Sequence, residues 1–192
     1  MIKLITEETF IPNLSQDIHY ISWTPYSGRS TSGYSQMAYV DTVVRKNLNK
    51  LNIYTKPESF YQQIDEANET GTFYPDINIT LMPSAKGVYS DEEIYHHISD
   101  AFKAQNKLIH AKTVIFDMRA YSYYDPHTEG YDNAEYLHMI DYLTGRSNHL
   151  EDKDVRVYVI SSEEIKPSLR GRSVHYAVAS EEEIEPFRLN QK

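Results

Sequence analysis

Asp117 closes the run Thr113-Val114-Ile115-Phe116-Asp117, and Arg119 follows two positions later. An acid that ends a buried apolar run is expected to emerge half desolvated at the mouth of a strand, which suits a general base. A guanidinium beside it would hold the carboxylate ionised or pair with a substrate phosphate. The same two residues also have a purely structural use, in which the carboxylate caps loop N–H groups and the arginine neutralises it. Both uses are open at this level. Beyond them runs a long segment with Tyr121, Tyr123, Tyr124, Asp125 and His127. Segments of that length are functional or disordered, and the tyrosines argue against disorder.

A second group of residues points to anion binding. The loop Ser27-Gly28-Arg29-Ser30-Thr31-Ser32-Gly33 follows the apolar-polar run Ile18 to Trp23 and precedes a helix beginning near Ser35. A strand that opens through small residues into a helix presents backbone N–H groups to a phosphate or polar substrate. Gly28 and Gly33 permit close backbone approach, Ser30 and Ser32 add hydroxyls, and Arg29 adds a fixed positive charge. The spacing matches neither the dinucleotide fingerprint nor the P-loop, since no Lys-Ser/Thr pair follows the second glycine. Lys86, within Ser84-Ala85-Lys86-Gly87, is a further candidate anion contact. For each of these an ordinary connector loop is the alternative.

Metal chemistry has no foothold in the spacing. His96 and His97 are adjacent, so on a helix they point apart and cannot form an i, i+4 ligand pair. There is no cysteine, which excludes thiolate sites, thiol nucleophiles and disulfides and fits a reducing cytosol. The net charge of −9 gives no general affinity for nucleic acid, so any such contact has to be a local patch. No apolar run approaches the ~20 residues of a membrane span, and no basic-then-apolar leader opens the chain, so a cytoplasmic location is the expectation. Seventeen tyrosines suggest surfaces with an apolar face and a wet hydroxyl rim.

The elements that must position these residues alternate. Met37, Val40, Val44, Leu48 and Leu51 recur at helical spacing after the Gly/Ser loop. A short strand at 52–55 and a helix through Phe60, Ile64 and Ala67 follow, with Pro57 in its first turn. Asp76 to Met82 reads as a strand stopped by Pro83. Ser90 and Glu93 form a capping box for a helix through Ile94, Ile98 and Phe102. Thr113 to Met118 reads as an internal strand covered on both faces. Asp132 and Glu135 cap a helix that ends near Gly145, followed by strands at 155–160 and 174–179 around a helical turn at 163–169.

Six strands separated by helices predict an α/β fold: a three-layer, Rossmann-like open sheet of about six mostly parallel strands, with helices on both faces. The domain is expected over 17–188, with a loosely ordered segment at 1–16 and a tail at 189–192. Ligands of such sheets bind beyond the carboxyl ends of the strands. That selects the loops after Trp23, Thr55, Met82, Asp117 and Ile160, and predicts that Arg29, Lys86 and Arg119 share one cleft.

The order of the pieces also resembles the N-terminal, acceptor-side half of GT-B glycosyltransferases, in particular the phage DNA-modifying glucosyltransferases. The matching segments are the first strand with its Gly/Ser loop, the Asp76-to-Met82 strand, Phe116-Asp117-Met118-Arg119, Val157 to Ser161 and Glu182 to Phe187. The resemblance implies that Asp117 deprotonates an acceptor hydroxyl, with Arg119 beside it. It further implies a nucleotide sugar as co-substrate and a second nucleotide-sugar-binding domain or chain as partner. Ala120-Tyr121-Ser122-Tyr123 replaces the proline-containing sequence usual after the arginine. Two other readings stand beside it. One is a small enzyme that binds or processes a nucleotide or nucleoside, with Arg29 and Lys86 on phosphate and Asp117 or Glu163 on the glycosidic side. The other is a non-enzymatic, phage-type inhibitor presenting its acidic, tyrosine-rich loop.

Overall fold

The computed structural model describes residues 2–15, 17–23, 42–47, 50, 72–74, 78–82, 100, 110–119, 124–125, 130–131, 155–161 and 176–190. Its centre is a seven-stranded sheet built from β1 (Ile2–Ile5), β2 (Ile18–Trp23), β3 (Thr72–Tyr74), β4 (Ile79–Met82), β5 (Thr113–Asp117), β8 (Arg156–Ile160) and β9 (Tyr176–Val178). The order across the sheet is β3-β4-β2-β5-β8-β1-β9. Every neighbouring pair is parallel except the edge pair β3–β4. A separate ribbon joins β6 (Tyr124–Asp125) to β7 (Gly130–Tyr131). The fold is therefore α/β on an open, mostly parallel sheet, as the alternation of elements predicts.

β5 is internal, flanked by β2 and β8, and Val114 through Asp117 have no exposed surface. Burial on both faces is what lets a strand be a continuous apolar run. One face carries Tyr20, Ile79, Ile115, Tyr158 and Ile160 in a single cluster with Phe10, Ile11, Leu14, Val43, Val44, Ile184 and Phe187. The alternate positions Ile21, Val114, Phe116 and Val159 are equally buried on the other face, so the sheet is covered on both sides.

The expectation of a loosely ordered segment at 1–16 is corrected. Ile2-Lys3-Leu4-Ile5 is inserted between β8 and β9, with Ile2, Leu4 and Ile5 buried. Four residues are too few to show a period, and a short apolar run becomes legible only when its two partner strands are known. Residues 6–15 then cross the core face and are fastened to helix α1 (42–47) by Asn47. Its Oδ1 accepts from the Leu14 N–H at 2.9 Å, and its Nδ2 donates to the carbonyls of Pro12 and Val43 at 3.0 and 2.8 Å.

The chain closes with helix α2 (Glu181–Ile184), capped by the Ser180 hydroxyl, and a 3-10 turn at Glu185–Phe187. Phe187 meets Phe10 edge-on and leans on Tyr158. Leu189 N–H donates to the Ile11 carbonyl at 2.8 Å, so the stretch read as the start of a tail is paired with the N-terminal segment. Arg188 lies over the Phe10 ring and pairs with Glu7, Glu181 and Glu185. These carboxylates, Glu7 first, hold its guanidinium proton above the ordinary arginine range.

β3 is a second departure from the sequence reading, which has a helix ending before Gly71 and the next strand at Asp76. Thr72–Tyr74 instead pairs antiparallel with β4, and Asn78, at φ 50, makes the tight approach to β4. Asparagine is among the few side chains that tolerate this region. The expected strand at 52–55 and the helices at 57–67 and 132–143 lie outside the described residues, as does the helix from Ser90 except for helical residue 100. No helix among the described residues is long and apolar enough to cross a membrane.

Candidate functional site at the carboxyl ends of β2 and β5

In a parallel sheet a crevice opens where the chain leaves two neighbouring strands in opposite directions. From β2 the chain goes on to β3 and β4 on one side, whereas from β5 it goes on to β8 on the other. β2 and β5 are hydrogen-bonded neighbours, so the divergence falls between Trp23 and Asp117. The loops after β2, β4 and β5 all begin at this one edge, because the three strands are parallel and contiguous.

A buried polar knot lies at the carboxyl ends of these two strands. Ser22 is the register partner of Asp117, and Tyr20, two residues earlier on the same face, reaches up the sheet to it. Asp117 Oδ1 accepts from the backbone N–H and the Nε of Arg119, both at 3.0 Å. Its Oδ2 accepts from Arg119 Nη2 at 2.8 Å and from the Tyr20 hydroxyl at 2.5 Å. A carboxylate has about four acceptor positions, and here four donors occupy them. Arg119 Nη1 donates to the carbonyls of Glu8 and Phe10 at 2.7 and 2.6 Å, tying the N-terminal segment to the strand end. Burial, and next the Asp117 carboxylate, push the Tyr20 hydroxyl well above its usual range, so it stays a proton donor.

This corrects two expectations. The Asp117 carboxylate does not emerge half desolvated: it has no exposed surface, and an acceptor hydroxyl would have to displace a donor already in place. Arg119, 5% exposed, faces inward onto Asp117 and two main-chain carbonyls instead of into a cleft shared with Arg29 and Lys86. The geometry is that of the structural alternative, cap and ion pair. Gly28, Arg29, Ser30, Ser32, Gly33, Lys86, Tyr121 and His127 lie outside the described residues. Tyr20 was missed, because within an alternating strand an inward tyrosine looks like any other core residue. Its one sequence signal is the pairing of a hydroxyl with Ser22 at i, i+2 on the strand that leads into the Gly/Ser loop.

A second buried polar pair sits on the opposite face, nearer the amino ends. His19 Nε2 and Thr80 Oγ1 are 2.6 Å apart. Burial, and secondarily the charge of His110, lower the His19 pKa from 6.5 to about 4. The ring is thus neutral at physiological pH. Among the described residues no cluster of three or more histidine, aspartate or glutamate side chains could hold a metal ion.

The fold is α/β, with a buried ion pair at the adjacent carboxyl ends of β2 and β5. No protein-family model and no curated protein matches the chain. Among solved structures it is similar to the macrodomain of Thermus aquaticus DarG, at 10% identity and a TM-score of 0.44, over 84% of this chain and 98% of that one. The resemblance to a GT-B acceptor half is overturned: the aspartate on which the resemblance turned is sealed in an ion pair. The nucleotide-sugar and phage-modification readings rested on that resemblance and find no support.

Proposed function

We propose that this chain binds or processes a nucleotide or nucleoside in the crevice between the carboxyl ends of β2 and β5. The observation that carries the reading is the divergence of the chain at those two strands, with the sequence Gly28 to Gly33 following β2 along the chain. A small-residue loop at such a point can bring main-chain N–H groups against phosphate oxygens. In this reading Arg29 supplies charge from the loop after β2, and Lys86 from the loop after β4. Arg119 supplies none, because it is used inside. Asp117 acts as a positioning residue that keeps the floor of the crevice closed and the strand end rigid.

Thermal melting with adenosine, AMP, ADP, inorganic phosphate and nucleoside diphosphates bearing a sugar tests this. A ligand at about a hundred times its Kd stabilises the native state by about 2.7 kcal/mol. For a chain of this length that is about 5–10 °C. We expect a phosphate-bearing nucleotide to give such a shift, adenosine to give less, and Arg29→Ala to remove most of it. The absence of any shift across the series, or a shift untouched by both Arg29→Ala and Lys86→Ala, refutes the reading.

A further inference from the structure

Two arginines hold the turn from Glu7 to Phe10, which closes as the Phe10 N–H donates to the Glu7 carbonyl at 3.2 Å. The buried one, Arg119, donates to the carbonyls of Glu8 and Phe10. The solvent-facing one, Arg188, donates from Nη1 to both carboxylate oxygens of Glu7, at 2.7 and 2.6 Å. Its guanidinium carbon lies 5.1 Å from the centre of the Phe10 ring. The main chain around Arg188 adds a short antiparallel contact, with Pro12 opposite Arg188. The Asn13 N–H donates to the Phe187 carbonyl and the Leu189 N–H to the Ile11 carbonyl, both at 2.8 Å.

The two grips differ in their surroundings. Arg119 is buried against Asp117, which has no exposed surface. The carboxylates around Arg188 are open to water: the side chains of Glu7, Glu181 and Glu185 are 39%, 69% and 58% exposed. Salt screens exposed pairs strongly and buried pairs much less. Apart from Arg188, little side-chain contact holds 181–190. Ile184 and Phe187 are buried, Leu189 packs at the rim of the core, and Glu183 meets Lys3 and the Tyr158 hydroxyl. β5, in contrast, is paired on both sides and wholly buried from Val114 to Asp117. Segments with few buried apolar contacts open at lower free energy than core strands.

We propose that residues 181–190 form a strap, latched over residues 7–13 by Arg188, that opens as one unit at high ionic strength while the parallel sheet stays folded. Opening removes the outer hold on Glu7 and Phe10 and takes away the partners of the Ile11 carbonyl and the Asn13 N–H. Residues 7–13 and 181–190 therefore loosen together. The inner hold persists, because the Arg119–Asp117 pair is shielded from salt.

Amide hydrogen exchange of the full chain, read residue by residue, tests this in about 0.1 M and about 1 M NaCl. Between these the screening length falls from about 10 Å to about 3 Å. We expect the Asn13, Ile184 and Leu189 amides to share one protection factor, well below that of Ile115 and Phe116 in β5. High salt should lower the shared factor by about tenfold, the combined loss of several exposed pairs, and leave β5 unchanged. Arg188→Met should lower it in the same way at low salt and remove the further effect of salt. Glu7→Gln, which keeps Glu181 and Glu185 on the arginine, should do part of each. Strap amides as protected as those of β5, or indifferent to salt, overturn the proposal. Asn13 and Leu189 responding by different factors overturn opening as one unit. An Arg188→Met variant in which Ile115 and Phe116 lose as much protection as the strap also overturns it, since Arg188 would then hold the whole fold.

Discussion

Replacing Asp117 by Asn keeps the shape of the side chain and removes its charge, which isolates what the buried pair contributes. In the parent, four donors converge on the carboxylate: the Arg119 N–H, Nε and Nη2, and the Tyr20 hydroxyl. The amide can accept at one oxygen only, and its NH2 group then faces donors of Arg119 or Tyr20. The guanidinium is left buried without a counter-charge, and removing one partner of such a pair costs about 3–5 kcal/mol. At about 2–4 °C per kcal/mol for a chain of this length, Asp117→Asn should melt about 6–20 °C below the parent. Arg119→Met should cost at least as much, because it also strands the Glu8 and Phe10 carbonyls. The double variant Asp117→Leu/Arg119→Met should be less destabilised than the two single losses added together, since neither charge is then left alone. Scanning calorimetry and urea unfolding of the four proteins measure the cycle. An Asp117→Asn variant that melts within about 2 °C of the parent would falsify the account of Asp117 as a structural hub.

Lowering pH should weaken the fold through His19. In the unfolded chain this ring titrates near 6.5, whereas in the folded protein it stays neutral down to about 4. Between those values the unfolded state binds the extra proton. The stability contributed is therefore fully present above about 6.5, falls as pH drops toward 4, and levels off below it. The span of about 2.5 pH units corresponds to about 3 kcal/mol, to be read as the urea midpoint against pH. His19→Leu should flatten that slope, and an unchanged slope in the variant would sink the assignment. Asn47→Ala should cost about 2–4 kcal/mol, because the Leu14 N–H and the Pro12 carbonyl lose their partner. It should also speed hydrogen exchange of the Leu14 amide well beyond that of β5, and equal exchange in variant and parent would contradict the fastening role.

What could be read without the structure was whatever depends on neighbours along the chain. The uninterrupted run Val114-Ile115-Phe116 announces an internal strand, and the alternation of strand and helix signals announces a mostly parallel sheet, because burial on two faces and crossover connections leave periodic traces. Asp117 and Arg119 could be picked out as a charged pair at a strand end, with cap and ion pair as one of two uses. Which use it is depends on Tyr20, 97 residues away, and on the Glu8 and Phe10 carbonyls, 111 and 109 residues from Arg119. Local patterns carry no record of such partners. The insertion of Ile2–Ile5 between β8 and β9 is likewise tertiary, since a four-residue apolar run specifies burial but not which strands it separates. The divergence of the chain at β2 and β5 is a property of strand order alone. It arises because hydrogen-bonded neighbours in a sheet are chosen by packing across the whole core, and the fold therefore decides where the crevice lies.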